Sequence, residues 1–491
     1  MTAGALAQAG GVVGASGLGL LMVAEQRKLR LGGLAALALG MALMLPLLAP
    51  PEHRAILAAA AVLAVPLLAG LAFVFRRYPW ALAFLAVVTA PVRIPVTVGT
   101  TSANLLLPLY VVIGAAAFSL AWGFWRDPPR RELGILAWPL AALVVWFGLS
   151  GLWTNDVRGG AILLFFFILP FGLLAVALGR LRWSPREAQR LYVLFVAMAI
   201  VFAAIGIWQW AARDVFWNSN LIQSNAQAPF YRVNSIFWDP SIYGRFLVVA
   251  ILALLALLLY PPHRSARIDL ALGAAIAFVW VGLLFSFSQS SFVALAVGVV
   301  LAAVLAWRWR ALVALLVVAA VTIPIGIASP QFERVRDSLA ASPESGFTRP
   351  TGGRSRLVSV GLRIARDNPV AGVGIGGFKV AYSQRVTRGE DTRTVASHTT
   401  PVTVAAETGI VGLVIFGWLV AAGLFVAFRA SRRVSNTAGR ALIVAGLAFA
   451  AIFVHSLFYA AFFEDPLTWG LLAIAAVAAS ASKQPAPETE S

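Results

Sequence analysis

The chain has 491 residues, of which 60% are hydrophobic and 12% are charged, and its formal net charge is +18 with no cysteine. A soluble globular domain carries roughly 25% charged residues, so this composition excludes that class and indicates a polytopic membrane protein. The lack of cysteine excludes disulfides and thiolate metal sites.

Apolar runs predict an all-α polytopic membrane protein with about 12–14 transmembrane helices, because a helical span needs roughly 20 apolar residues. The candidate spans are residues 31–49, 55–75, 80–98, 103–123, 134–152, 159–180, 188–211, 242–260, 268–286, 289–307, 310–328, 404–428, 439–462 and 466–482.

Arginine-rich connectors alternate with connectors that are nearly free of basic residues, which is the pattern of the positive-inside rule. Basic connectors such as QRKLR at 26–30 and RLRWSPREAQR at 180–190 are predicted to be cytoplasmic. Most of the net charge therefore reflects topology, and we expect no nucleic-acid partner. The resulting division is a cytoplasmic segment at 1–30, helices over 31–328 with an outer loop at 212–241, an extracytoplasmic catalytic loop at 329–402, helices over 403–482 and a disordered tail at 483–491.

The first 30 residues contain an apolar run at 10–24 that is short and interrupted by glycine. It lacks a basic region before it, so we do not interpret it as a cleaved signal peptide. We expect a disordered or surface-lying N-terminus.

Arg93 falls within the predicted span 80–98, between Pro91 and Pro95. An arginine at that depth either extends to the headgroups or lines a polar cavity, and both interpretations stay open. The prolines favour a bend that would free carbonyls nearby.

The outer segment 212–241 mixes aromatic side chains with polar residues. The aromatic residues are explained equally well by an interfacial belt. Arg232 or Arg245 could meet a phosphate at the mouth of one helix, with Asp239 holding its partner in place.

The outer loop 329–402 has eleven Lys and Arg residues against six Asp and Glu residues. Within it, RSRLVSVGLRIARD at 354–367 predicts an amphipathic helix that lies flat at the outer interface. Its apolar face would be Leu357, Val360 and Ile364. Its arginines could then reach lipid phosphates, although a long loop is also exempt from the charge rule.

Gly372, Gly374 and Gly377 match the spacing of a dinucleotide fingerprint, but no strand precedes them and no βαβ unit surrounds them, so we exclude that function. A tight turn with a close backbone approach is the better interpretation.

His398 lies directly before a predicted helix, with Thr400 as its N-cap and Pro401 as its first residue. The helix N-terminus can seat a phosphate, and its field would keep the imidazole neutral, as a general base near pH 7 requires. A surface-loop histidine is the plainer alternative. Glu407 on the same helix either serves the site or interacts with the helix dipole, and His455 fits a hydrogen-bonded packing residue.

The motif RVNSIFWDPSIYGRF resembles the segment "R…G-x-F-x-D-P-N-x-F/Y-G" of the O-antigen ligase and O-antigen polymerase superfamily, with Ser235 and Ser241 where Gly and Asn are frequent. SFSQSSF at 286–292 resembles its "T/S-x-S-R" turn, with Gln289 in place of the arginine. PVAGVGIGGF and SHTTPVTVAAETGIVGL resemble "P-x-x-G-x-G…H-N-x-x-L…E-x-G-x-x-G", with Thr399 where Asn is common. The similarity covers roughly 232–415.

The resemblance implies a GT-C-like membrane glycosyltransferase of polysaccharide and cell-envelope biosynthesis. It would move a glycan from an undecaprenyl diphosphate carrier to an acceptor hydroxyl of a lipid, a protein or a growing polysaccharide. The enzyme would lie in the bacterial cytoplasmic membrane with its site facing outward, and neither metal nor cofactor is expected. The implied catalytic residues are His398, Arg356 and Arg232, and the implied substrate-binding residues are Arg93, Asp239, Arg245, Gln289, Arg354 and Glu407.

Two alternatives stay open. Ligase and polymerase share a donor and differ in acceptor, which the sequence does not reveal. A lipid-linked glycan flippase or exporter would also have many helices, although it would place charges at both faces and show internal symmetry.

Overall fold

A computed structural model describes most of the chain. The described residues are 2–49, 52, 54–98, 101–126, 132–227, 230–260, 265–307, 354–386, 397–429 and 437–481. Three predicted segments lie wholly or partly outside these residues: the span 310–328, the loop 329–402 except for 354–386 and 397–402, and the tail 483–491.

The described part of the chain is almost entirely helical, which confirms the predicted all-α polytopic class. Its helices are α1 Ala3–Val23, α2 Arg27–Leu48, α3 Arg54–Arg77, α4 Trp80–Thr89, α5 Leu107–Arg126, α6 Ala137–Ser150, α7 Val157–Leu163, α8 Leu169–Gly179, α9 Pro185–Ala212, α10 Ser219–Gln227, α11 Pro240–Leu259, α12 Ala266–Leu284, α13 Gln289–Trp307, α14 Arg354–Asp367, α15 Phe378–Ser383, α16 Thr400–Arg429, α17 Thr437–Ser456 and α18 Pro466–Ala481. Within the described ranges, ten helical stretches are long and apolar enough to cross a membrane, and a π-helical turn at Leu164–Ile168 joins α7 to α8 in one of them.

The expectation of a disordered or surface-lying N-terminus is wrong, because Ala3–Val23 forms a largely buried helix of membrane-spanning length. Its glycines allow close packing on α2: a Cβ added at Gly17 would lie 2.6 Å from the Gly33 carbonyl oxygen. Gln8 donates to the carbonyl of Gly151 at 3.1 Å, so the start of α1 lies at the same end of the bundle as residues 151–156. Residues 1–30 are thus not a segment on one side of the bundle.

The predicted span 80–98 is also wrong, because α4 ends at Thr89 and the chain then forms a two-stranded hairpin. The strands β1 Ile94–Val98 and β2 Thr101–Leu105 pair antiparallel, with Ile94 opposite Leu105. Pro91 and Pro95 lack the N–H that a continuing helix needs, and the β-branched residues among them suit a strand. Arg93 consequently lies in the irregular connection before β1 rather than inside a helix.

One end of the bundle gathers charged residues that lie in or next to three basic connectors, at 26–30, 126–131 and 180–190, which the positive-inside pattern predicts to be cytoplasmic. Glu132 is 3% exposed and pairs with Arg30 at 2.5 Å and with Arg180 at 2.9 Å. Both guanidinium groups also lie over the ring of Phe124. This contact agrees with the predicted location of these connectors on one side of the bundle.

The described side chains form three apolar cores. The largest joins α1, α2, α5, α6, α8, α16 and α18, and a second joins α9, α11, α12, α13 and α17. A small third core lies between α14, α15 and the start of α16. The candidate site lies where the second and third cores meet the end of the bundle that carries residues 151–156.

Candidate functional site

His398 occupies a tight turn directly before α16, and its backbone has φ +63°. A non-glycine residue in that conformation costs about 1–3 kcal/mol and persists where its surroundings hold it. Here Ser397 holds the turn: its Oγ donates to the Thr399 carbonyl at 2.8 Å and lies 2.9 Å from the hydroxyl of Thr403. His398 is partly buried, and the turn fixes the position of its backbone at the start of the helix.

The predicted capping of this helix is wrong in detail. Thr400 is the first residue of α16, and among the described residues its buried hydroxyl has no hydrogen-bond partner. Pro401 is therefore the second residue. The hydroxyls of Ser397 and Thr403 organise the turn instead, because the N–H of Ser397 donates to Thr403 Oγ1 at 3.2 Å.

α16 is broken at Gly409, where φ is +67° and ψ is −167°. The break deprives carbonyl groups of α16 of their helical partners. Residues 369–378, which we call the clasp, donate hydrogen bonds to these carbonyls instead. The N–H groups of Val373 and Gly374 donate to the carbonyls of Ala406 and Glu407 at 3.0 and 2.8 Å. Trp146 donates its indole N–H to the Thr408 carbonyl at 3.0 Å.

The clasp glycines are required by close backbone contacts, in agreement with the predicted tight turn. A Cβ added at Gly372 would lie 2.3 Å from the carbonyl carbon of Glu407, and one at Gly374 would lie 2.3 Å from the Cα of Thr154. Both glycines also have positive φ. The third glycine of this kind is Gly376, whereas Gly377 of the supposed fingerprint has ordinary φ.

The amphipathic helix predicted at 354–367 is present as α14, but its apolar face is not left for a membrane. Leu357, Val360 and Ile364 are buried in the third core against α15 and α16. The opposite face exposes Arg356 together with two further arginines, Arg363 and Arg366. Packing within the protein therefore accounts for the amphipathic pattern. Arg354 is the first residue of α14.

α14 and the His398 turn are in direct contact. A Cβ at Gly361 would lie 2.6 Å from Val402 and 3.3 Å from the Cβ of Ser397. The structure thus brings together the helix that carries Arg356 and the turn that carries His398.

Arg232 is held by the turn between α12 and α13. Its Nε donates to the Ser286 carbonyl at 3.2 Å, and its backbone N–H donates to Asn225 at 3.0 Å. A chain of buried hydroxyls continues from this turn, and Ser290 Oγ lies 3.0 Å from Nε2 of His455. His455 is therefore the hydrogen-bonded packing residue that the sequence predicts.

Arg245 is buried and pairs with Asp465 at 2.8 Å. It also donates to the Ala461 carbonyl at 3.2 Å. The expectation that Asp239 holds the arginine is wrong: Asp239 caps α11 by accepting from the N–H of Ser241 at 2.6 Å. A small cavity of about 20 Å³ places Arg93 beside Arg245 and Asp465, so the cavity-wall interpretation of Arg93 is supported.

Glu464 was not recognised as a candidate residue from the sequence, although it lies electrostatically close to Arg93, Arg245 and Glu407. Burial raises its pKa to about 7, and the nearby Arg93 and Arg245 oppose that rise. It also interacts electrostatically with Glu407. Burial likewise raises the pKa of the Tyr459 phenol. The acidic pair in the connector FFEDP was the available signal.

The two remaining predicted residues are Gln289 and Glu407. Gln289 is exposed at the first position of α13. Glu407 is only 6% exposed, and its carboxylate accepts from the Phe378 N–H at 3.2 Å. In the described ranges no group of three or more His, Asp or Glu side chains is placed to hold a metal ion.

Ten of the described helical stretches are long and apolar enough to span a membrane, which defines the chain as a polytopic membrane protein, and the candidate residues gather at one end of the bundle. Residues 273–417 match the family model described as O-antigen ligase. The match includes His398, Arg356 and Glu407 and supports the O-antigen ligase and polymerase superfamily, which confirms the resemblance recognised in the sequence. No curated protein matches the chain.

Proposed function

We propose that this protein is a membrane glycosyltransferase of the O-antigen ligase or polymerase type. It transfers a glycan from an undecaprenyl diphosphate carrier to an acceptor hydroxyl at the outer face of the bacterial cytoplasmic membrane. The observation that carries the proposal is the contact between the His398 turn and α14, inside the segment that matches the family.

In the proposed reaction His398 accepts the proton of the acceptor hydroxyl. The acceptor oxygen then forms a bond to the anomeric carbon while the bond from that carbon to the diphosphate oxygen breaks. The leaving diphosphate keeps the electron pair, so a single displacement inverts the anomeric centre. A positioned base of this kind contributes about 10²–10⁴-fold to a rate.

The arginines stabilise the charge that develops on the leaving diphosphate. The exposure of Arg356 on α14 and the partial exposure of Arg232 support this role. Arg245 already has a carboxylate partner at 2.8 Å, so its role is to support the site indirectly. Arg93 lies beside it at the cavity.

The test uses purified protein in detergent with a lipid-linked oligosaccharide, and it follows both glycan length and release from the carrier. Growth of chains that stay on the carrier identifies a polymerase, and transfer to a second acceptor identifies a ligase. We expect His398→Ala to lower turnover about 10²-fold or more. Unchanged turnover in that variant would exclude His398 as the base.

Arg356→Ala and Arg363→Ala form a matched pair, because both arginines are exposed on α14. We expect the first to lower turnover at least tenfold and the second to change it less than about twofold, since distance from the reacting diphosphate weakens a screened charge. Equal losses would indicate general attraction of the donor rather than a specific contact. A wild-type protein that transfers no glycan would favour a flippase or exporter.

A further inference from the structure

The break at Gly409 separates the first part of α16, residues 400–408, from the rest of the helix. This first part begins next to His398 and shares the third core, because Ala406 packs with the apolar face of α14. Its position relative to the bundle is therefore set by contacts other than a continuous helix. The clasp provides these contacts through the backbone pairs at Ala406 and Glu407.

Glu407 adds a side-chain link to this arrangement. It follows Thr400 by seven residues, which places both on the same side of the helix at a spacing of about 10 Å. Its carboxylate accepts from the N–H of Phe378 at 3.2 Å, at the end of the clasp. Phe378 in turn packs on α14, since a Cβ at Gly361 would lie 3.2 Å from its ring.

We infer that Glu407 is a positioning residue for the proposed glycosyl transfer, and that it keeps the His398 turn in register with the arginines of α14. The inference rests on the proposed function for its catalytic consequence. At 6% exposure Glu407 is poorly placed to bind a substrate directly. A buried carboxylate needs a hydrogen-bond donor, and the Phe378 N–H of the clasp supplies one.

A carboxylate oxygen at this position accepts the buried Phe378 N–H. An apolar side chain would leave that N–H buried and unpaired, which costs about 1–3 kcal/mol. The end of the clasp and α14 would then be held to residues 400–408 less firmly, although the backbone pairs at Ala406 and Glu407 remain. A misplacement of about 1 Å between reacting groups can cost on the order of 10²-fold in rate.

The experiment compares Glu407→Ala and Glu407→Gln, because the amide oxygen of glutamine can still accept from a backbone N–H. The control is Asp367→Ala, which removes an exposed carboxylate of the same region, paired with Arg385 at 2.8 Å. The chain has no cysteine, so nitroxide labels on Ser359→Cys and Val414→Cys report the distance between α14 and the second part of α16. Both positions are exposed.

We expect Glu407→Ala to lower kcat roughly 10²-fold, to change the donor KM less than about threefold and to broaden the distance distribution. Glu407→Gln should keep a narrow distribution and most of the turnover, and Asp367→Ala should resemble the wild type. A fall in kcat with an unchanged distribution would overturn the inference and assign Glu407 to substrate contact. Normal turnover in Glu407→Ala would overturn it as well.

Two outcomes separate this inference from the proposed function. If the wild type transfers no glycan, the proposed function fails, and the distance distributions alone decide whether Glu407 joins α14 to α16. If Glu407→Ala does not fold, Glu407→Gln decides: retained turnover supports the inference, and lost turnover with a narrow distribution refutes it.

Discussion

Gly374→Ala is the substitution whose effect follows most directly from the structure. Gly374 has φ +88°, and the added Cβ would lie 2.3 Å from the Cα of Thr154 and 2.6 Å from its backbone N. The conformational strain of that φ costs roughly 1–2 kcal/mol. Overpacking against backbone atoms adds about 1–3 kcal/mol, so the total destabilisation is roughly 2–5 kcal/mol.

The assay is thermal unfolding of the purified protein in detergent, with Gly417→Ala as the matched control on α16. A Cβ at Gly417 meets no described heavy atom within 4 Å. Alanine there should be neutral or slightly stabilising, because it is favoured over glycine inside a helix by about 0.5–1 kcal/mol. We expect Gly374→Ala to unfold several degrees lower. Equal melting of both variants would refute the close contact between the clasp and residues 151–156.

Three further predictions concern stability. Arg245→Ala leaves Asp465 buried without its partner and should destabilise the fold by about 3–5 kcal/mol; replacing both by leucine should recover most of that loss in the same melting assay. Glu464 has an ordinary pKa of 4.5 and a folded pKa of about 7, so the folded state retains a proton that the unfolded chain has lost. Stability should therefore fall as pH rises from about 4.5 to about 7 and then level off, and Glu464→Gln should flatten this part of the pH profile of melting. Trp146→Phe removes the donor to the Thr408 carbonyl and should cost about 1–3 kcal/mol, whereas unchanged melting would show that the break at Gly409 does not depend on it.

The helical bundle was predictable because the length of an apolar run and the charge of its connectors are local properties of the sequence. The two errors, at residues 1–30 and 80–98, also have causes that are visible in the local sequence. Glycine lowers the helix propensity of the α1 sequence, yet the absence of a side chain is what allows Gly17 to approach Gly33. In residues 80–98 hydropathy alone does not distinguish a span from a short helix followed by a hairpin, and Pro91 and Pro95 were the evidence for the latter.

The candidate site was predictable only where a motif is contiguous. The sequence indicates His398, α14 and a tight glycine turn, because each lies within a short stretch. It does not reveal that the clasp pairs with Thr154, more than 200 residues away. The sequence suggested Asp239 as a partner for Arg232 or Arg245, whereas the partner of Arg245 is Asp465, more than 200 residues further along the chain.

The site lies at a boundary between two cores, and this division explains its contacts. His398 and Arg356 lie on segments that pack around the third core, which includes Val360, Phe378 and Ala406. Arg232 and Arg245 are sequence neighbours of Val233 and Phe246, which belong to the second core.

Because Arg232 and Arg245 lie beside a different core from the proposed base, their spacing from His398 depends on the contacts between those cores. Glu464 is electrostatically coupled to both sides, to Arg93 and Arg245 and to Glu407. The break at Gly409 leaves residues 400–408 packed on α14 through the third core and paired with the clasp through backbone hydrogen bonds. A change in the link at Glu407 should therefore alter the geometry of the reaction before it alters the fold of the membrane helices.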